Sequence, residues 1–453
     1  MVKTVLVSID QSKRELIGAY ILEHFLSSIG MRTILCSAGE LEHYCARYNP
    51  DAVVLPNAFY DSSNIAVNSS VFVLPSESAN GMPDQVLNTH GGTADTIYSE
   101  PVTRFFCWGT GMRNVLLETE VWRPEQLVVT GNPSTDHWLL PFRNNTVEES
   151  VIGLSTTFRS LSGNTPARKT NLLQLIDSIE LQSPVGSYYG PLEHAESWIF
   201  FEASLARVMA GILRALSVQR LERVEIRPHP LESDWRYEHF HNISDGRINV
   251  VRTVHMTEWI ANVSVLFTYL SASALDAVVR GVPVVSLKGL IDTDALRKLP
   301  DAFSYPYEDM LWQIDDFDQA IEYVELAREG KLPRCRDDKR FREFILHEFA
   351  FPREFPAAEL VALEIKQTLD AVSGAERKSI RGSSGQTGKS RGQGGQYQSL
   401  LNYNNMWPQF RAFIRYLLGL LPNQSDVGHT FQPWRFSERR QARHAARAIA
   451  RVI

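Results

Sequence analysis

Short runs of residues that are apolar along their whole length alternate with helix-like segments in the first third of this 453-residue chain. Helical spacing of apolar residues is clearest at 13–29 and 41–48. A strand that is apolar on both faces must be covered on both sides, as in parallel sheets flanked by helices. The alternation therefore predicts an α/β fold with a parallel sheet. The strand-like runs are residues 4–9, 32–36, 52–55, 71–74, 105–108 and 127–130.

The same pattern starts again after residue 150, with strand-like runs at 151–154, 223–226, 248–251, 263–268 and 282–287. Helices are predicted among them at 198–216 and 274–280. Two successive series predict two similar Rossmann-like domains, residues 1–145 and 150–345, whose facing strand ends form a ligand-binding cleft. Residues 346–372 are expected to form a helix that returns to the first domain.

The C-terminal part of the chain differs in composition from the rest. Ser, Gly, Gln and basic residues dominate at 373–400, which is typical of a flexible linker. Residues 374–453 hold 13 Lys/Arg against 3 Asp/Glu, a net charge of +10 in a chain whose total is −6. The segment 401–453 is a basic amphipathic tail, which we expect to bind an anionic membrane surface. The alternative is that its apolar face packs on the body or on another subunit.

Several functional classes lack their usual signals in this sequence. No run of about 18 apolar residues predicts a transmembrane helix, and no leader pattern is visible, so a cytoplasmic protein is expected. The four cysteines, Cys36, Cys45, Cys107 and Cys335, lack the spacing of metal ligands. The acids at 315–318 are interpreted as N-terminal helix acids. Neither a Walker A nor a dinucleotide glycine motif is present. We therefore expect no metal, no cofactor and no nucleic-acid partner.

Two motifs in the second half follow predicted strands. Residues 225–232 place His229 between two prolines at a strand end, with Arg227 and Glu232 close by. A stiff turn at that position suits a donor to a phosphate oxygen, although an incidental surface histidine fits as well. Residues 270–276 carry Ser271 and Ser273 at the start of a predicted helix, a pattern typical of phosphate sites and of plain helix caps.

Three side chains of the first half are candidate bases. Glu77 follows the strand-like run 71–74, and a carboxylate on a loop facing a cleft can deprotonate a hydroxyl. His90 is a rival base, and Asp10, at the end of the first strand, either faces the cleft or caps the next helix. Gly131 and Asn132 lie in a turn that could line the cleft, although for Asn132 we favour a structural turn.

These motifs, in this order, resemble those of bacterial surface carbohydrate biosynthesis proteins, which are related to capsule β-Kdo transferases and, more distantly, to CDP-glycerol glycerophosphotransferases. The resemblance implies the two-domain glycosyltransferase fold called GT-B. Ser134 stands where the family has arginine. The matching residues are 5–10 with 13–15, 75–77, 106–109, 129–133 with Asp136, 227–230 with Glu232, and 271–273 with Asp276.

The resemblance implies that His229 and Pro230 hold the CMP moiety of a sugar donor, that Ser271 and Ser273 bind its phosphate, and that Glu77 lies near the acceptor. Arg227, Glu232 and Asp276 belong to the same donor motifs. The implied function is a metal-independent glycosyltransferase of capsule or lipopolysaccharide biosynthesis, using a nucleotide sugar such as CMP-Kdo and a glycan or lipid-linked acceptor. A sugar-nucleotide 2-epimerase-like isomerase and a non-catalytic scaffold remain open as alternatives.

Overall fold

Two six-stranded parallel sheets form the centre of the computed structural model, which describes residues 2–10, 12–58, 65, 68–76, 86, 99–140, 151–157, 192–218, 223–229, 237–252, 256–297 and 305–382. The first sheet contains β1 (Thr4–Ile9), β2 (Arg32–Ser37), β3 (Ala52–Leu55), β4 (Ser70–Val73), β5 (Val102–Cys107) and β6 (Leu127–Val129). The second contains β7 (Val151–Ser155), β8 (Val224–Arg227), β9 (Ile248–Val250), β10 (Val263–Thr268), β11 (Val284–Ser286) and β12 (Trp312–Gln313). The α/β prediction with parallel sheets is confirmed.

Helices connect and cover these strands. Around the first sheet lie α1 (Ser12–Ser28), α2 (Leu41–Tyr48) and α3 (Thr110–Glu118). The second series has α4 (Leu192–Val218), α5 (Glu238–Ile243), α6 (Met256–Ile260), α7 (Ser273–Val279), α8 (Thr293–Arg297) and α9 (Phe317–Arg328). The described chain ends with α10 (Asp338–Phe349) and α11 (Ala357–Gly382). No helix in this described part is long and apolar enough to cross a membrane.

The strand order of each sheet reverses once. The first sheet runs β2-β1-β3-β4-β5-β6, so its order reverses between β1 and β3. The second runs β12-β11-β10-β7-β8-β9, so its order reverses between β7 and β10. Connections leave such a point in opposite directions and open a crevice beyond the carboxyl ends of the strands, where α/β proteins bind ligands.

The two C-terminal helices pack on the first sheet. Buried residues of α11, among them Val361 and Ile365, share one hydrophobic cluster with Leu22 of α1. Helix α10 lies against the start of α3, where a Cβ atom on Gly109 would come within 2.2 Å of the His347 carbonyl oxygen. Helix α11 continues to Gly382, through the first residues of the segment predicted as a linker. The remainder of that segment and the basic tail lie outside the described residues.

Candidate functional site

Three serine hydroxyls meet at the point where the order of the second sheet reverses. Ser155 ends β7, and its Oγ lies 3.2 Å from the Oγ of Ser271, which follows β10. The Ser271 Oγ lies in turn 2.8 Å from the Ser273 Oγ at the start of α7. Helix α7 has only seven residues, so the hydroxyls and the strand ends define this site more than the helix does. The structure thus brings together the two predicted serines and adds Ser155.

Two arginines lie at the ends of the neighbouring strands β8 and β9. Arg227 ends β8, is paired in register with Ser155, and places its guanidinium 5.8 Å from the centre of the Trp259 ring. Burial, and next the charge of Arg252, lower the pKa of Arg227 to about 10 from 12.5. Two cations held close together and partly away from water favour an anionic ligand.

His229 lies two residues beyond the end of β8 and is half-buried. Its backbone carbonyl accepts a hydrogen bond of 3.3 Å from Nη1 of Arg252. The predicted turn is therefore anchored by the second arginine of the site. Pro230 and Glu232 lie outside the described residues.

Asp276 joins the two halves of the protein. Its Oδ1 accepts hydrogen bonds from Nε1 of Trp138 at 2.6 Å and from Nε2 of His137 at 2.9 Å. The other ring nitrogen of His137 lies 2.8 Å from the carbonyl oxygen of Ser134. Both ring nitrogens of His137 lie within hydrogen-bond distance of oxygen atoms, so the ring is held from both sides. Asp276 was expected among the residues that bind the sugar donor. In the structure its Oδ1 atom faces the first domain.

A second contact between the halves is made one helical turn further along α7. Nη1 of Arg280 donates to the carbonyl oxygens of His137 and Leu140, at 3.3 Å each. The segment that follows β6 therefore meets the helix that follows β10.

Gly131 and Asn132 belong to a buried turn of the first domain. Asn132 caps the 3₁₀ segment Pro133–Leu139, because its Oδ1 accepts from the Ser134 N–H at 2.8 Å. Its Nδ2 donates to the carbonyl oxygen of Pro75, also at 2.8 Å. Gly131 has φ +76°, a left-handed conformation that glycine adopts without strain. This geometry agrees with the structural turn favoured for Asn132.

A cavity of about 30 Å³ lies where the order of the first sheet reverses. Asp10 directly follows Ile9 of the cavity lining and is exposed, and its backbone N–H donates to Oε2 of Glu15 at 3.0 Å. Of the other predicted bases, Glu77 and His90 lie outside the described residues, although Ser76 lines the cavity. Polar residues around the cavity are Ser8, Glu15, Ser76, Asn132 and Ser134.

The acids at 315–318 have a structural explanation. Asp316 caps α9, and its side chain accepts from the Gln319 N–H at 2.9 Å. The interpretation of these residues as helix acids is therefore confirmed for Asp316. Over the ranges that the structure describes, no group of three or more His, Cys, Asp or Glu side chains is arranged to hold a metal ion.

Glu308 is a buried carboxyl close to the serine cluster. Burial raises its pKa to about 7 from 4.5, although hydrogen bonds from Ser286 and Leu270 oppose the rise. Between pH 4.5 and about pH 7 the folded protein keeps the proton of Glu308, whereas the unfolded chain has released it. The contribution of Glu308 to stability is therefore present below about pH 4.5 and is lost as the pH rises to about 7.

The substitution Glu308→Gln should remove this loss of stability, which amounts to at most about 3 kcal/mol. Glutamine keeps the size and polarity of the side chain and cannot ionise. Thermal unfolding of both proteins at pH 5 and pH 8 measures the effect. The melting temperature of the variant minus that of the wild type should be more positive at pH 8 than at pH 5. An equal difference at both pH values would show that the folded pKa of Glu308 is not raised.

Comparisons with known proteins agree with the two-domain architecture. No protein-family profile and no curated protein matches the sequence. Among solved structures, the wall teichoic acid polymerase TagF is similar at a TM-score of 0.50 and 12% identity, over 82% of this chain and 89% of that chain. The UDP-GlcNAc 2-epimerase of Methanocaldococcus jannaschii is similar at 0.47 and 12%, over 81% of this chain and 100% of that chain. At 12% identity the likeness to TagF shows the fold alone, two facing Rossmann-like domains of GT-B type.

Proposed function

We propose that the protein is a glycosyltransferase that uses a nucleotide-activated sugar as donor. The observation that carries the proposal is the set of serine hydroxyls Ser155, Ser271 and Ser273 at the reversal point of the second sheet, with Arg227 and Arg252 on the neighbouring strand ends. Hydroxyl donors and guanidinium groups suit the phosphate oxygens of a nucleotide.

The finer assignment of the donor follows the family resemblance. His229 and Pro230 hold the CMP moiety of the donor, with Arg227, Glu232 and Asp276 of the same motifs around it, and the donor is a CMP-sugar such as CMP-Kdo. The acceptor is a glycan or a lipid-linked glycan of surface polysaccharide biosynthesis. The basic tail 401–453 brings the enzyme to the inner face of the membrane, where lipid-linked acceptors are held.

The reaction needs one bond to form and one to break. The acceptor hydroxyl oxygen attacks the anomeric carbon of the sugar, and the bond from that carbon to the donor phosphate oxygen breaks with its electron pair on the phosphate. Glu77, or else His90 or Asp10, takes the proton of the hydroxyl. The serine hydroxyls and the arginines stabilise the negative charge that grows on the leaving phosphate.

Incubation with CMP-, CDP- and UDP-sugars, with and without a glycan acceptor, tests the proposal. A transferase releases free nucleotide, and it forms a glycosylated product only when acceptor is present. Conversion of one sugar nucleotide into another without acceptor would contradict the proposal and indicate an isomerase. Binding of no donor at all would also contradict it and favour a non-catalytic scaffold.

A further inference from the structure

The turn that carries Ser271 has an unfavourable backbone conformation. Leu270 has φ +51°, in the left-handed region that residues with a bulky side chain rarely adopt. Its side chain is buried, at 6% exposure, so the residue is fixed among the core side chains. Such a conformation persists only where surrounding contacts hold it.

Three side chains form hydrogen bonds with the backbone of three successive residues of this turn. Oγ1 of Thr157 donates to the carbonyl oxygen of Tyr269 at 3.1 Å. The N–H of Leu270 donates to Oε1 of Glu308 at 2.8 Å. The hydroxyl of Tyr307 donates to the carbonyl oxygen of Ser271 at 3.2 Å. Tyr269, Leu270 and Ser271 therefore each have one backbone hydrogen bond to a side chain outside the turn.

Tyr307 and Glu308 are themselves rigidly placed. Both side chains are almost completely buried, at 0% and 2% exposure. The second oxygen of Glu308 accepts a hydrogen bond of 2.6 Å from Oγ of Ser286, the last residue of β11. Glu308 therefore links the end of β11 to the turn at the end of β10.

We propose that Tyr307 and Glu308 are positioning residues, which hold the Leu270–Ser271 backbone so that the Ser271 and Ser273 hydroxyls are set for the donor phosphate. The inference rests on the proposed function, since it assigns a ligand to these serines. The residues do not touch the donor. They act through the turn, because a preformed site saves the cost of ordering its donors on binding.

Nucleotide affinity measured by calorimetry with CMP, CDP and UDP tests the inference. Glu308→Ala removes the acceptor of the Leu270 N–H and should weaken binding roughly tenfold. Glu308→Gln keeps an acceptor there and should bind within about threefold of the wild type. Tyr307→Phe removes one neutral hydrogen bond and should weaken binding about fivefold.

Two comparisons separate positioning from general destabilisation. Tyr323→Phe removes a similar hydroxyl, which donates to the Gln313 carbonyl oxygen at 3.3 Å, and it should leave affinity unchanged. The loss caused by Tyr307→Phe should also shrink in a Ser271→Ala background, because residues that act through one another are not additive. This cycle keeps the test valid even if Glu308→Ala does not fold.

Wild-type affinity in Tyr307→Phe and in a folded Glu308→Ala would overturn the inference, as would full additivity of Tyr307→Phe with Ser271→Ala. These results differ from failure of the proposed function. If the proposed function is wrong, Ser271→Ala binds nucleotides as well as the wild type does, or the wild type binds none of the three nucleotides.

Discussion

Replacement of Asp136 by alanine should lower the free energy of unfolding by about 3–5 kcal/mol. Asp136 is fully buried, and its Oδ1 accepts a hydrogen bond of 2.5 Å from Nη2 of Arg353. The Arg353 side chain is only 7% exposed. Alanine would leave this guanidinium charge inside the protein without its carboxylate, which is one of the most costly single changes in a folded chain.

Asp136 also caps the helix that covers the first sheet. Its two oxygens accept from the N–H groups of Ala357 and Ala358, at 2.7 Å and 2.9 Å, in the first turn of α11. Free N–H groups at a helix start need such acceptors, and a carboxylate there also suits the helix dipole. The loss of Asp136 should therefore loosen α11 from α1 as well as destabilise Arg353.

Urea unfolding followed by circular dichroism measures this prediction. The matched control is Lys366→Gln, which removes an exposed pair with Asp370 on the same helix and should cost much less than Asp136→Ala. The double variant Asp136→Leu with Arg353→Met removes both charges and should be more stable than Asp136→Ala. A change below about 1 kcal/mol for Asp136→Ala would show that the buried pair does not hold α11 in place.

Replacement of Glu77 by glutamine should reduce the rate of sugar transfer by roughly 10²- to 10⁴-fold and leave nucleotide affinity within about twofold. Glutamine cannot accept the acceptor proton, whereas the donor phosphate site in the second domain is unchanged. The described residues just before Glu77 are held in place by hydrogen bonds. The carbonyl oxygen of Pro75 accepts from Nε1 of Trp108 at 3.0 Å and from Nδ2 of Asn132 at 2.8 Å.

These two buried donors fix the chain two residues before Glu77, at the edge of the cavity lined by Ser76. Single-turnover rates with saturating donor measure the effect directly, since they separate the chemical step from binding. Asp10→Asn and His90→Ala are the comparisons. If either is inactive while Glu77→Gln keeps its rate, the base has been assigned to the wrong residue.

Much of the fold could be predicted because strands buried on both faces are apolar throughout. The first strand was expected at 4–9 and is Thr4–Ile9, and α1 was expected at 13–29 and is Ser12–Ser28. The proline and glycine residues around Asn132 likewise indicated a turn, which the structure contains. These features depend on residues close together in the sequence.

Features that depend on distant residues could not be predicted in the same way. Ser155 is the last residue of an ordinary apolar strand, and only the position of β7 beside β10 places it near Ser271, 116 residues later. Arg252 follows β9 without any local motif. Asp276 lies 139 residues from His137, so nothing in residues 270–276 indicates that its carboxylate faces the first domain.

We propose that the serine hydroxyls at the end of β10 bind the phosphate of a nucleotide donor. Calorimetric titration of CMP, CDP and UDP into the wild type and into Ser271→Ala/Ser273→Ala tests it most directly. The control Ser264→Ala removes a hydroxyl at the opposite end of β10, where it donates to the Val151 carbonyl oxygen at 3.2 Å. The double variant should bind the preferred nucleotide roughly 10- to 100-fold more weakly, while Ser264→Ala should bind it normally. Equal affinity of the folded double variant and the wild type would contradict it.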